Sequence, residues 1–67
     1  MRQTTIKDMK RGDYFTMKPI EAPTEKQVWV KGEYDRAERA YWCHRFEDVN
    51  AGRLMKPGRA VFVEFYF

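Results

Sequence analysis

The chain has 67 residues, a net charge of +3 and a single cysteine, Cys43. That length permits one domain with a small core, one thiol permits no internal disulfide, and no apolar run is long enough to span a bilayer. No apolar stretch follows Met1, so no secretory leader is expected, and the reducing cytoplasm is the expected compartment. A mean hydropathy of −0.79, with 34% charged and 16% aromatic residues, describes a thin core of large rings inside a charged shell. The mildly basic pI of about 9.2 is ordinary solubility charge and exerts only a weak pull on acidic partners.

In chain order, Thr4 to Gly12 reads as one helical turn. Thr4 or Thr5 caps it, Ile6 and Met9 share a face, and Gly12 stops it. Asp13 to Lys18 is a first strand, with Phe15 and Met17 alternating against Tyr14 and Thr16. Pro19 and Pro23 end it and make Ile20 to Lys26 a loop. Gln27 to Asp35 is a second strand, with Val28, Val30 and Tyr34 on the core face and Trp29, Lys31 and Glu33 on the other.

The charged segment Arg36-Ala37-Glu38-Arg39 then connects to a strand from Ala40 to Phe46. As a four-residue hairpin loop it sets Tyr34 opposite Tyr41 and Gly32 opposite Cys43, with a bulge near His44 or Arg45 turning Phe46 inward. A competing pattern is present. Asp35 to Glu38 has the form of a capping box, and Trp42, Phe46 and Val49 fall at helical spacing, so an amphipathic helix over residues 36–49 is the alternative. The hairpin is preferred because it gives Tyr41 and Cys43 a matching partner strand.

Glu47 to Gly52 is a loop or single turn, and Arg53 to Met55 a short strand. Lys56-Pro57-Gly58-Arg59 matches a type II turn. It leads into a last strand, Ala60 to Phe67, whose odd positions Val61, Val63, Phe65 and Phe67 form one apolar stripe. This strand is expected to run to Phe67, and at a sheet edge its free backbone groups would invite a second copy or a peptide.

Three phrases carry a resemblance: Thr5-Ile6-Lys7-Asp8-Met9-Lys10-Arg11-Gly12-Asp13-Tyr14-Phe15, Val28-Trp29-Val30-Lys31-Gly32-Glu33-Tyr34-Asp35-Arg36 and Phe46-Glu47-Asp48-Val49-Asn50. They resemble short uncharacterised proteins of gut anaerobes, their phages and mobile elements, and the order of elements looks like a small SH3-like barrel. The resemblance implies that fold and carries over no functional residue, because the family has no established activity.

Cys43 and His44 are the only residues of their types and neighbours on a strand, so they point to opposite faces. That fits neither a zinc site, which needs about four ligands, nor a Cys–His nucleophile pair. Cys43 reads as a small buried hydrophobe and His44 as an exposed strand residue. The acids Glu47-Asp48 and Glu33 with Asp35 read as charge neutralisers or turn caps, and the four widely spaced glycines make no phosphate loop. The candidate binding residues are Trp29 and Lys31 beside Trp42 and His44 on one hairpin face, extended by the basic turn Arg53, Lys56 and Arg59. Packed rings, a protein interface and a stacking platform for single-stranded nucleic acid all use such residues.

The expectation is an all-β, SH3-like, partly open barrel of about five strands with a short N-terminal helical turn. It is expected to be non-enzymatic, with no cofactor, no metal and no membrane partner. A protein partner or self-association comes first, and single-stranded nucleic acid is the alternative.

Overall fold

A computed structural model describes residues Met1 to Phe67. Six strands form two antiparallel sheets. In one, β1 (Arg2–Thr5) pairs with β6 (Ala60–Val63); in the other, β2 (Tyr14–Phe15), β3 (Trp29–Asp35), β4 (Ala40–Arg45) and β5 (Asp48–Met55) lie in sequence order. Thr16 and Phe62 exchange two backbone hydrogen bonds of 2.9 Å each, which join the sheets at the end of β2. β1 and β5 are left as unpaired edges, so the sheets do not close. No helix is long and apolar enough to cross a membrane.

The all-β expectation holds, and the helix alternative over residues 36–49 does not form. Those residues are the β3–β4 hairpin and the start of β5. The capping signal is nevertheless real. Asp35 Oδ1 accepts hydrogen bonds from Ala37 N at 3.0 Å and Glu38 N at 3.2 Å. Arg39 then takes a left-handed φ of 53°, which ends the turn before a helix can propagate. Asp35 therefore caps a hairpin loop rather than a helix.

The first turn is a 3-10 turn, Ile6–Asp8. Both Ile6 and Met9 are buried, and Gly12 takes the φ of 92° that a glycine permits. The sixth strand is β1, which has no apolar alternation. It is a strand because β6 pairs with it from Arg2↔Val63 to Thr5↔Ala60, and Arg2 Nε reaches Glu64 Oε2 at 2.9 Å.

β6 is shorter than expected and is not an edge. It lies between β1 and Thr16, and it ends at Val63 because Glu64 turns left-handed, with φ 61°. The apolar stripe consequently divides. Val61 is buried and Val63 half-buried, whereas Phe67 leaves the sheet and packs edge-on against Tyr14 and Phe46. The Lys56–Arg59 turn closes with Arg59 N donating to Lys56 O at 3.1 Å. It is not type II, because Gly58 does not take the positive φ that type II requires at its third position.

The decisive departure is in β3. Tyr34 lies opposite Tyr41, as expected, but Cys43 lies opposite Lys31 rather than Gly32. Gly32 and Glu33 together oppose Trp42, which is a β-bulge on β3. A Cβ on Gly32 would run into the Trp42 carbonyl oxygen, so only glycine allows the two strands to approach there. Below the bulge Val28 is buried as expected, but the next three residues are reversed. Trp29 and Lys31 face the core, with Ile6, Met9, Phe15, Cys43, Met55 and Val61, while Val30 turns outward and is half-buried. Above it, Tyr34 shares the inner side with Tyr41 but is exposed at the open end. A second irregularity, at His44/Arg45 in the β4–β5 pairing, leaves Val49, Asn50 and Ala51 without partners on β5. It falls at the expected residues but on the other ladder, and Phe46 does not turn into the core but packs against Tyr14 and Phe67.

Gly32→Ala is expected to lower unfolding free energy by about 1–3 kcal/mol, through overpacking against backbone that cannot yield. Gly58→Ala, with nothing within 4 Å of its Cβ, should be neutral or stabilising by up to about 1 kcal/mol. Urea titration of both variants checks this, and equal effects would contradict the bulge.

A candidate aromatic binding face

Lys31 is 5% exposed, and its placement follows from hydrogen bonding. Its backbone N donates to Asp13 O at 3.0 Å and its carbonyl accepts from Gly12 N at 2.8 Å. Its Nζ donates to the Met9 carbonyl oxygen and sits 4.1 Å from the centre of the Tyr41 ring. The aliphatic stem packs like an apolar residue while the ammonium satisfies a carbonyl that the 3-10 turn leaves open. Lys31 is thus a clamp between β3 and the Met9–Asp13 turn, and it is not a surface cation.

Trp29 is also core, at 9% exposure, with the Arg45 guanidinium 5.5 Å from its ring centre. The expected platform therefore splits. Trp29 and Lys31 lie on the inner side of the four-stranded sheet, and Trp42 and His44 on the outer side. The basic turn does not extend it either. Arg53 is exposed but opposite Cys43, on the side away from Trp42. Lys56 and Arg59 belong to the β5–β6 turn, where Arg59 Nη2 lies 3.5 Å from Met17 Sδ.

The outer side has its own composition. Tyr14, Val30, His44 and Gly52 form one cross-strand row, and Trp42 and Leu54 the next. Trp42 is 46% exposed yet tethered. Its Nε1 donates to Asp35 Oδ2 at 3.2 Å, and its Cε3 would lie 3.9 Å from a Cβ on Gly52. The two glycines leave a shallow groove of about 270 Å³ beside the ring, walled by Glu33, His44 and Val49. At the other end Tyr14, Phe46 and Phe67 meet edge to face, with centroids 4.8–5.9 Å apart. Tyr14, Trp42, Val49 and Phe67 are between 45% and 70% exposed, so the face is apolar and wet. Its polar members are few: Glu33 is paired with Arg11 at 3.0 Å, and His44 Nδ1 lies 3.0 Å from its neighbour's carbonyl, Arg45 O.

Sequence reasoning placed Trp42 and His44 on a shared face but missed Tyr14, Val49 and Phe67 as their companions. The available signal was Gly32, since a glycine inside a strand pattern marks a bulge or a close approach. No three His, Cys, Asp or Glu side chains converge as a metal site would need. Compared with protein-family models, curated proteins and solved structures, the chain matches none.

Three groups titrate away from their ordinary values. Burial lowers the Lys31 amine from 10.5, against the opposing pull of Cys43, Asp13 and Asp8. Burial raises the Cys43 thiol from 9.0, against the Gly32 N–H and the Lys31 charge. The Glu38 N–H, the Trp42 indole and the Ala37 N–H hold the Asp35 carboxyl below 3.8. The stability that Asp35 contributes is present above that value and is lost as pH falls through its depressed folded pKa.

For Lys31 the depressed pKa means that the folded chain sheds a proton the unfolded chain still holds. Its contribution is complete above 10.5 and declines as pH falls through the folded value. The stability difference between the wild type and Lys31→Met should therefore move in favour of the wild type as pH rises from neutral toward 10.5. Cys43 is common to both proteins, so its opposite trend above 9.0 largely cancels. A difference that stays flat across this range would contradict a buried Lys31.

Proposed function

We propose that the protein is a non-enzymatic protein-binding module, that the outer face of the four-stranded sheet is its interface, and that a second copy of the chain is the first partner this face meets. The observation that carries the reading is the grouping of Tyr14, Trp42, Val49 and Phe67, all at least 45% exposed, on one side of a domain with a small core. Large aromatic side chains bury much area at little entropic cost and dominate interface energetics. The tether from Trp42 to Asp35 supplies part of the ordering before a partner arrives. The unpaired edges of β1 and β5 add backbone groups that a second copy could pair with.

The same grouping favours binding over catalysis. The two most unusual basic and nucleophilic groups, Lys31 and Cys43, are 5% and 1% exposed, out of reach of a substrate. The SH3-like character of the fold belongs to this proposal as well, supported by its small, unclosed, all-β architecture. A nucleic-acid platform on this face finds less support, because two of its members, Trp29 and Lys31, lie in the core.

Sedimentation velocity over a wide concentration range tests the proposal, with iodide quenching in a Trp29→Phe background so that only Trp42 is observed. The wild type should sediment faster as concentration rises while Trp42 becomes shielded, and Tyr14→Ser with Trp42→Ser should stay monomeric. A wild type that remains monomeric, with Trp42 equally quenchable throughout, would remove self-association through this face.

A further inference from the structure

The surface grooves differ in charge. The one beside β1 carries Asp8, Asp13 and Glu64 against Arg2. The Trp42 groove carries Glu33, and the one near the chain ends carries Glu21 and Glu64. The largest, about 340 Å³, is walled by Lys18, Lys26 and Arg45 with Gln27 over a floor that includes Met17 and Trp29, and no carboxylate lines it. None of its cations takes part in the two ion pairs, which join Arg2 to Glu64 and Arg11 to Glu33.

Three positive charges without an ion-pair partner around one depression repel one another and focus a positive field there. The fold holds them in place. Trp29 and Arg45 are register partners, and the guanidinium lies over the indole. Lys26 and Gln27 sit on the 3-10 turn Glu25–Gln27, fixed by a capping box in which Gln27 Oε1 accepts from Thr24 N at 2.9 Å. That bond occupies the amide oxygen and leaves the Gln27 NH₂ as a free donor. Thr16 Oγ1 donates to Lys18 O at 2.7 Å, and the Arg59 guanidinium reaches Met17 Sδ, bringing a fourth cation to this side.

We infer that this groove binds consecutive phosphates of a multiply charged ligand, either the backbone of single-stranded nucleic acid or a free polyphosphate. Arginine and lysine with a free amide donor match phosphate oxygens. Trp29 is too buried for a base to stack on it, so recognition is of the phosphate backbone, without sequence preference. The site is independent of the outer aromatic face, and either can fail without the other.

The test titrates the full chain with fluorescein-labelled oligothymidylate at rising salt, with inorganic tripolyphosphate as competitor, and maps amide shifts by NMR. The oligonucleotide should bind with a log affinity against log salt slope of about −2, the value for three single-strand phosphate contacts. Shift changes should centre on Lys18, Lys26, Gln27 and Arg45. Lys26→Gln and Arg45→Gln should each weaken binding and flatten the slope by about 0.7, whereas Lys10→Gln, an exposed site outside the groove, should change neither. Should Arg45→Gln disturb packing on Trp29, Lys26→Gln, on an exposed turn, still decides. Displacement by tripolyphosphate at matching concentration assigns the site to free polyphosphate; oligonucleotide binding that resists it assigns the site to the nucleic-acid backbone. Failure of both ligands to bind, or an equal loss in Lys10→Gln, overturns the inference.

Discussion

Gly32 lies against the carbonyl oxygen of Trp42 with no room for a Cβ between them. That close approach allows Gly32 and Glu33 to share one partner residue, and the rest of the molecule follows from it. Because one residue is extra, β3 presents Trp29 and Lys31 to the core on one side of the bulge while Tyr34 still meets Tyr41 on the other. Without the bulge, the same strand would bury Val30 and expose a lysine and a tryptophan. With it, Lys31 reaches the Met9 carbonyl and Tyr41, and fixes the Met9–Asp13 turn to the sheet.

The bulge also separates two surfaces of different chemistry. On the outer side, Gly32 and Gly52 leave low ground beside Trp42, and tyrosine and phenylalanine continue the apolar face toward Phe67. On the Trp29 side, Arg45, Lys18 and Lys26 gather positive charge that no carboxylate in the groove offsets. A mild net charge of +3 is therefore a poor guide to local potential. The acids line the other grooves, and the field at this one exceeds what the average suggests.

Much of the fold was legible. The four-residue loop after Asp35, the burial of Ile6, Met9, Phe15 and Cys43, and the tight turn at Pro57 all follow from local chemistry, whereas the strand expected over Asp13 to Lys18 shrinks to Tyr14–Phe15 and Thr16 is buried rather than alternating outward. What was not legible depends on contacts distant in sequence. β1 has no apolar period of its own and exists because β6 pairs with it. β6 stops early because Glu64 turns left-handed and pairs with Arg2, 62 positions away. The site suffered most, because a one-residue shift in register reverses every side chain beyond it. The shift that mattered lay at Gly32, whereas the composition of β4 pointed to His44 and Arg45. Lysine is also a residue that hydrophobic patterning assigns to solvent, and only the open Met9 carbonyl explains why Lys31 is buried.

The most direct measurement is a cross-strand nuclear Overhauser effect. Lys31 directs its own N–H and C=O toward Asp13 and Gly12, so its pair with Cys43 is of the non-hydrogen-bonded kind, in which the two Hα atoms approach closely. A strong Lys31 Hα–Cys43 Hα cross-peak is the predicted result. A strong cross-peak from Gly32 Hα to Cys43 instead would mean an unbulged ladder, and would return Trp29 and Lys31 to the surface.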